Sequence, residues 1–316
     1  MTYQNLKKNI HANRHILGII SLGISLTPFL LPFEIRDGIT LTIFYFYYCL
    51  GVILISDSVA YHITGTSLLD TLFKNSRARS GYILIGVLAG FILEIFCMYL
   101  GGLWYYPYYS LPFYLTIMTL MGGFAGYWLC LLLAYEAVKV ILDKYFGGAR
   151  RITRSFKYER TLYPLFGLIG TIGLGIVLSH ILSVTDLFRD FALIINHDKE
   201  PYIGFGYVLL TFISFTFLLE YVEFKRHRTS LLKDIIHGYY IPIISIVIVS
   251  LLLSLYMEFQ NLPLELWIYT NWPGGEYTFG GLPILVFLTW PLHYIFFLSF
   301  YRAFGDRSSA VVWNKS

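Results

Sequence analysis

The stretch Glu94–Pro107, EIFCMYLGGLWYYP, decides the fold because it occurs twice: Glu258–Thr270 reads EFQNLPLELWIYT. Leu103, Trp104 and Tyr106 recur as Leu266, Trp267 and Tyr269, each 163 residues later, and Glu94 recurs as Glu258 after 164. The 163-residue spacing also joins Asp57 to Glu220, and Thr66-Ser67-Leu68-Leu69 to Thr229-Ser230-Leu231-Leu232. One coincidence carries little in so biased a composition. Several in register, from Asp57 to Tyr106, read as an internal duplication.

Composition sets the class. The chain is 57% hydrophobic, 19% aromatic and 13% charged, with a mean hydropathy of +0.64. Soluble domains carry about a quarter charged residues, so the expected class is a polytopic membrane protein. The net charge of +4 follows from topology and points to no nucleic acid. Cys49, Cys97 and Cys130 lie inside apolar runs without metal-ligand spacing and read as free core residues. Lys7, Lys8 and Arg14 precede an apolar run through Pro32 that lacks a small-residue cleavage site, which predicts a retained first span.

Eight runs are long enough to cross the bilayer as helix, for which about 20 residues suffice. They lie near 16–33, 39–56, 80–102, 111–142, 161–185, 201–222, 238–257 and 281–304. The runs are continuous rather than alternating, which selects helices over barrel strands. Gly167, Gly170, Gly173 and Gly175 in the fifth run would permit close helix contact. Of the 23 Lys and Arg, all but Arg36, Arg189 and Lys199 fall on one side, where the positive-inside rule puts the cytoplasm. The expected location is the cell membrane, multi-pass, with both termini cytoplasmic.

Four spans separate equivalent points, so the halves share one orientation and an axis along the membrane normal. The expected architecture is therefore all-α and polytopic, with about eight transmembrane helices in two parallel-oriented four-helix repeats, 1–155 and 156–316. The basic stretch from Asp143 to Arg160 links them, with Gly147 and Gly148 as its flexible point. After the second and sixth spans, Ser67 and Ser230 each open a short interfacial helix, and Ser67 with Asp70 has the capping-box form.

On the other side, the segments Trp104–Ser110 and Trp267–Phe279 are dense in Trp, Tyr and Pro. They read either as an aromatic belt or as the cover of a cavity open to lipid. The pairs Leu111-Pro112 and Leu282-Pro283 restart helices with proline in the first turn.

Ionisable groups inside spans cost at least about 2.5–3.5 kcal/mol each when charged, and so mark function first. Glu94 is the deepest, Glu258 its counterpart, and Asp57 and Glu220 end the second and sixth spans; Glu136, His180 and His293 are further candidates. Beside Phe91, Ile95 and Phe96 the Glu94 carboxyl favours its neutral acid form. Such an acid can protonate an alkene, and aromatic faces can stabilise the cation that results. The alternative is a carboxyl that only hydrogen-bonds a facing helix.

Other chemistries lack their motifs. There is no Walker A loop, no HExxH and no G-x-S-x-G. His11 and His15 have an i, i+4 spacing but no third ligand, and Asp186 with Asp190 is a lone DxxxD. No metal and no cofactor is called for.

At the repeated windows the chain resembles the integral-membrane carotenoid-modifying proteins, the membrane lycopene cyclases and carotenoid hydratases. The matching residues are Glu94, Trp104, Tyr106 and Pro112, then Glu258, Trp267, Tyr269 and Pro283, with Trp128 and Trp290 standing for a later tryptophan. The resemblance implies acid-initiated chemistry on a polyene. Glu94, Glu258, Asp57 and Glu220 are then the catalytic candidates, and Trp104, Tyr106, Trp267, Tyr269, Trp128 and Trp290 the substrate-binding ones. The expected partner is an apolar lipid or isoprenoid within the bilayer; oligomeric state is left open. Two further classes stay in view. One is a transporter or flippase with Asp57, Glu94, Glu220 and Glu258 lining a path between the repeats, the other a non-catalytic scaffold.

Overall fold

The computed structural model describes residues 3–30, 38–74, 76–107, 113–147, 154–184 and 200–304. The expectations placed on 31–33, Arg36, Leu111-Pro112, Gly148, Asp186, Asp190 and Lys199 lie outside these residues.

The fold is all-α. In chain order come α1 (Tyr3–Ser25), α2 (Gly38–Thr64), α3 (Leu68–Lys74), α4 (Ser76–Leu93), α5 (Phe113–Phe146), α6 (Glu159–Ser183), α7 (Phe205–His227), α8 (Leu231–Ile236), α9 (Ile241–Leu264) and α10 (Ile284–Phe304). Four two-residue strands, β1 (Trp104–Tyr105), β2 (Ile268–Tyr269), β3 (Thr278–Phe279) and β4 (Leu282–Pro283), form two short ribbons.

Among the described residues seven helices are long and apolar enough to cross a membrane: 38–64, 79–100, 123–146, 159–183, 205–227, 241–264 and 284–304. The run expected as a first span begins inside α1, whose earlier turns carry Gln4, Asn5, Lys7 and Lys8. Its helix stops at Ser25 and gives way to a 3-10 turn, Thr27–Leu30. That leaves it shorter as apolar helix than the other seven.

The helices pack in matched pairs. α1 lies along α2 and α6 along α7; α2 leans on α5 and α7 on α10. The centre is built by α4, α5, α9 and α10, in which α5 meets α9 and α4 meets α10. Glycine permits the two outer pairs. A Cβ on Gly18 would stand 2.9 Å from the Gly51 carbonyl oxygen, and one on Gly170 would stand 2.6 Å from that of Ser214. Gly51 and Ser214 are 163 residues apart. α6 shows the lipid-facing pattern directly: Gly167, Gly170 and Gly173 are buried while Leu165, Leu168, Ile172 and Ile176 are exposed. Close backbone contact, rather than flight from water, holds such a pair together.

The short helices after α2 and α7 are anchored alike. Ser67 Oγ accepts from the Asp70 N–H at 3.1 Å, the expected cap, and Ser230 Oγ accepts from the Lys233 N–H at 3.0 Å.

Candidate functional site

Glu94 stands where α4 changes its winding. From Glu94 to Leu100 the chain is π-helical, and the Gly101 N–H donates to the Phe96 carbonyl five residues back. A π-turn accommodates more residues per turn than an α-turn, and such segments gather at functional sites. The sequence contains the reason. Nine residues separate Glu94 from Leu103 but eight separate Glu258 from Leu266. The first copy has one residue more, the wider winding absorbs it, and both tyrosines still reach their own glutamate.

Tyr106 Oη donates to Glu94 Oε1 at 2.6 Å, and Trp104 Nε1 to Oε2 at 3.2 Å. In the second copy Tyr269 Oη donates to Glu258 Oε1, and Asn261 Nδ2 to Oε2 at 3.0 Å. Asn261 Oδ1 in turn accepts the backbone N–H of Trp267 at 2.8 Å. Burial and then the neighbouring Glu258 push the Tyr269 phenol well above its ordinary range, which keeps it a donor.

β1 and β2 bring the two copies together. They pair antiparallel, Trp104 opposite Tyr269 and Tyr105 opposite Ile268. The junction is reinforced at Leu103, whose carbonyl accepts from the Thr270 N–H and from Trp272 Nε1, each at 2.9 Å. The Gly102 carbonyl accepts from Thr270 Oγ1 at 2.7 Å and Asn271 Nδ2 at 2.9 Å. Gly102 itself has φ +55°, where a side chain would be strained.

Beneath this ribbon is a cavity of 260 Å³. Glu94, Trp104, Tyr106 and Trp128 line it from the first copy, and Glu258, Trp267, Tyr269 and Trp290 from the second. Eight expected site residues, far apart in sequence, thus share one chamber. Trp128 is fully buried, stacked on Phe297 at 4.3 Å and 13°. Trp290 sits with Leu282 and Val286 against Tyr269 and Trp272. The repeated Trp and Tyr therefore wall a cavity as well as occupying the level of the ribbon.

Asp57 and Glu220 are placed elsewhere. The Asp57 carboxylate accepts from Ser67 Oγ at 2.9 and 3.0 Å and from the Leu69 N–H at 3.1 Å, and it pairs with Arg14. Glu220 accepts the N–H groups of Leu231 and Leu232, each at 3.2 Å. Both fix the start of a short helix and neither lines the cavity. His180 also lies outside it, stacked on Tyr207 at 4.0 Å.

Sequence reasoning passed over Tyr45, Tyr127, Asn261 and Trp272. Tyr127 and His293 share a hydrogen bond of 2.7 Å at the cavity wall, and Tyr45 Oη donates to Met257 Sδ at 3.5 Å. Asn261 carried a readable signal, since it follows Glu258 by three and so shares its helix face. The chamber's chemical content is two carboxyls held by phenol and amide donors within aromatic walls. It suits an apolar ligand on which positive charge develops. Among the described residues no group of three or more His, Cys, Asp or Glu is arranged to hold a metal ion. Comparison of the chain with protein-family models, curated proteins and solved structures finds no match.

Proposed function

We propose that this protein is a membrane-embedded enzyme that acts on a long apolar isoprenoid or lipid by protonating it. One observation carries the reading: Glu94 and Glu258, matched residues of the two sequence copies, open into the same aromatic chamber. In the proposed step one carboxylic acid transfers its proton to an alkene carbon, and the π-electrons form the new C–H bond. The adjacent carbon becomes a cation, which faces Trp and Tyr rings. The charge is discharged when a neighbouring C–H proton passes to the other carboxylate, or when water adds and loses a proton. General acid assistance of this kind is worth about 10²- to 10⁴-fold. The resemblance to carotenoid-modifying membrane proteins points the same way, to a polyene.

The same reading takes the chain as two four-helix repeats, 1–155 and 156–316, with α1 supplying an eighth span and the basic face in the cytoplasm. The matched helix pairs and matched short-helix anchors support the duplication. A transporter or flippase is the second reading, favoured by the charged side chains buried at the basic ends of α5, α7 and α10. Against it, Leu131, Leu132 and Leu133 follow Trp128 along α5 and are fully buried.

Expression in cells that accumulate a coloured acyclic polyene tests the enzyme. The pigment spectrum should shift with the wild-type chain and stay unshifted with Glu94→Gln. Reconstituted vesicles that move a lipid or protons, and do so more slowly with Glu94→Gln, would instead favour transport.

A further inference from the structure

Away from the chamber, the ends of α5, α7 and α10 bury a second set of charges. Arg302 Nε donates to Glu223 Oε1 at 2.7 Å, and its terminal nitrogens stand 3.3 Å from Asp234 Oδ2. Lys139 pairs with Asp143 at 3.0 Å, and Tyr239 Oη donates to the other Asp143 oxygen at 2.7 Å. Glu220 neighbours Arg302 and Asp234. Lys233 and Glu159 form a separate pair at 3.1 Å.

Within this group Glu136 is anomalous. It is 1% exposed, its nearest charges are Lys139, Asp143 and Arg302, and neither carboxyl oxygen has a hydrogen-bond partner among the described residues. Glu223 Oε2 and His237 Nε2 are buried in the same state. Among the described residues, the elements around Glu136 place no further cation within hydrogen-bond distance of its carboxyl oxygens. α2 gives Asp57 to Arg14 and Ser67, α4 presents Tyr82 to the Ala125 carbonyl with Arg77 and Arg79 exposed, and α9 carries Glu258 near its far end. Among the described residues, then, Glu136, Asp143, Glu220, Glu223 and Asp234 face Lys139 and Arg302.

Buried carboxylates in such excess over their cations carry desolvation that no neighbouring charge offsets. A carboxylate oxygen is also only an acceptor, so a buried one without a donor lacks something to bind. A metal ion is disfavoured by the Arg302 and Lys139 charges among the oxygens.

We propose that this cluster is a second site, a proton-binding centre at the basic end of the bundle, in which Glu136 carries an exchangeable proton. Asp143 with Tyr239, and His237 near Asp234, connect it towards the basic face. The site does not depend on the chemistry assigned to the chamber.

Infrared spectroscopy of the purified full chain tests it, through the C=O stretch of protonated carboxyls in H2O and D2O. Glu94→Gln/Glu258→Gln serves as background, so that the chamber acids do not contribute. In that background a protonated-carboxyl band should remain and should move on transfer to D2O. A component of it should be lost with Glu136→Gln and displaced with Glu136→Asp. A band indifferent to both substitutions, or the absence of any such band, overturns the proposal. If Glu136→Gln fails to fold, the Glu136→Asp displacement alone decides.

Discussion

Tyr105 stands opposite Ile268 across the β1–β2 ribbon, and the two are 163 residues apart, the same spacing that relates the matched residues of the two copies. An antiparallel pair in which a residue faces its own counterpart is what a two-fold relation between copies produces. Trp104 opposite Tyr269 obeys the same relation, since Tyr269 is the counterpart of Tyr106. The two glutamates therefore enter the chamber as equivalents.

That pairing can be locked. Cys at positions 105 and 268, with Cys49, Cys97 and Cys130 replaced, should form a disulfide, because side chains facing across such a pair approach to about 4.5–5.5 Å. After proteolytic cleavage between the halves near Gly147, the two fragments should run together without reductant and apart with it. Separation under both conditions would contradict the ribbon.

The glutamates should matter to turnover rather than to folding. Glu94→Gln and Glu258→Gln each remove an acid while keeping the size and one of the two accepting oxygens. Conversion of the polyene should fall by about 10²-fold or more, with helical circular dichroism and detergent thermal unfolding close to wild type. Equal activity in both variants would remove them from the reaction.

Tyr106→Phe and Tyr269→Phe should act on stability as well. Each deletes the donor to a buried carboxyl oxygen and should destabilise by about 1–3 kcal/mol, read as a lower unfolding temperature in detergent. Asp57→Asn should also destabilise, through loss of the Arg14 pair, and should leave the chamber chemistry intact in whatever protein folds.

The helical class was legible because composition is a property of the sequence itself, and matched spacing singled out eight residues that the structure places around one cavity. The placement of Asp57 and Glu220 was not legible. From sequence a carboxylate ending a span looks the same whether it meets a substrate or the N–H groups of Leu69, Leu231 and Leu232. The one-residue mismatch between 163 and 164 was visible too, but only the π-helical turn after Glu94 explains it. Arg302 counts in the sequence only as one of the basic residues on one side, and its burial between Glu223 and Asp234 is a contact between elements far apart in sequence.

Helix contact should be sensitive where backbones touch. Gly170→Leu places a Cβ against the Ser214 carbonyl oxygen at 2.6 Å and should cost about 1–3 kcal/mol by separating α6 from α7. Gly175→Ala meets nothing within 4 Å and should be silent. Unfolding temperatures of the two variants check this.

The proposed orientation rests on the charge distribution. Lys157 and Tyr277 are both exposed, at opposite ends of the bundle on the proposed orientation. A membrane-impermeant thiol reagent applied to intact cells should label Tyr277→Cys and spare Lys157→Cys, in a chain without its native cysteines. Labelling of both would contradict the orientation.

Acid chemistry on an apolar polyene by Glu94 and Glu258 is what the proposed function stands on. Its most direct measurement is chromatography with mass spectrometry of the pigments from polyene-accumulating cells that express the wild-type chain or Glu94→Gln/Glu258→Gln at equal levels. A new product, an isomer or a hydrate of the polyene, should appear with the wild type and not with the double variant. Unaltered polyene with folded wild-type protein, or the same product from the double variant, would contradict it.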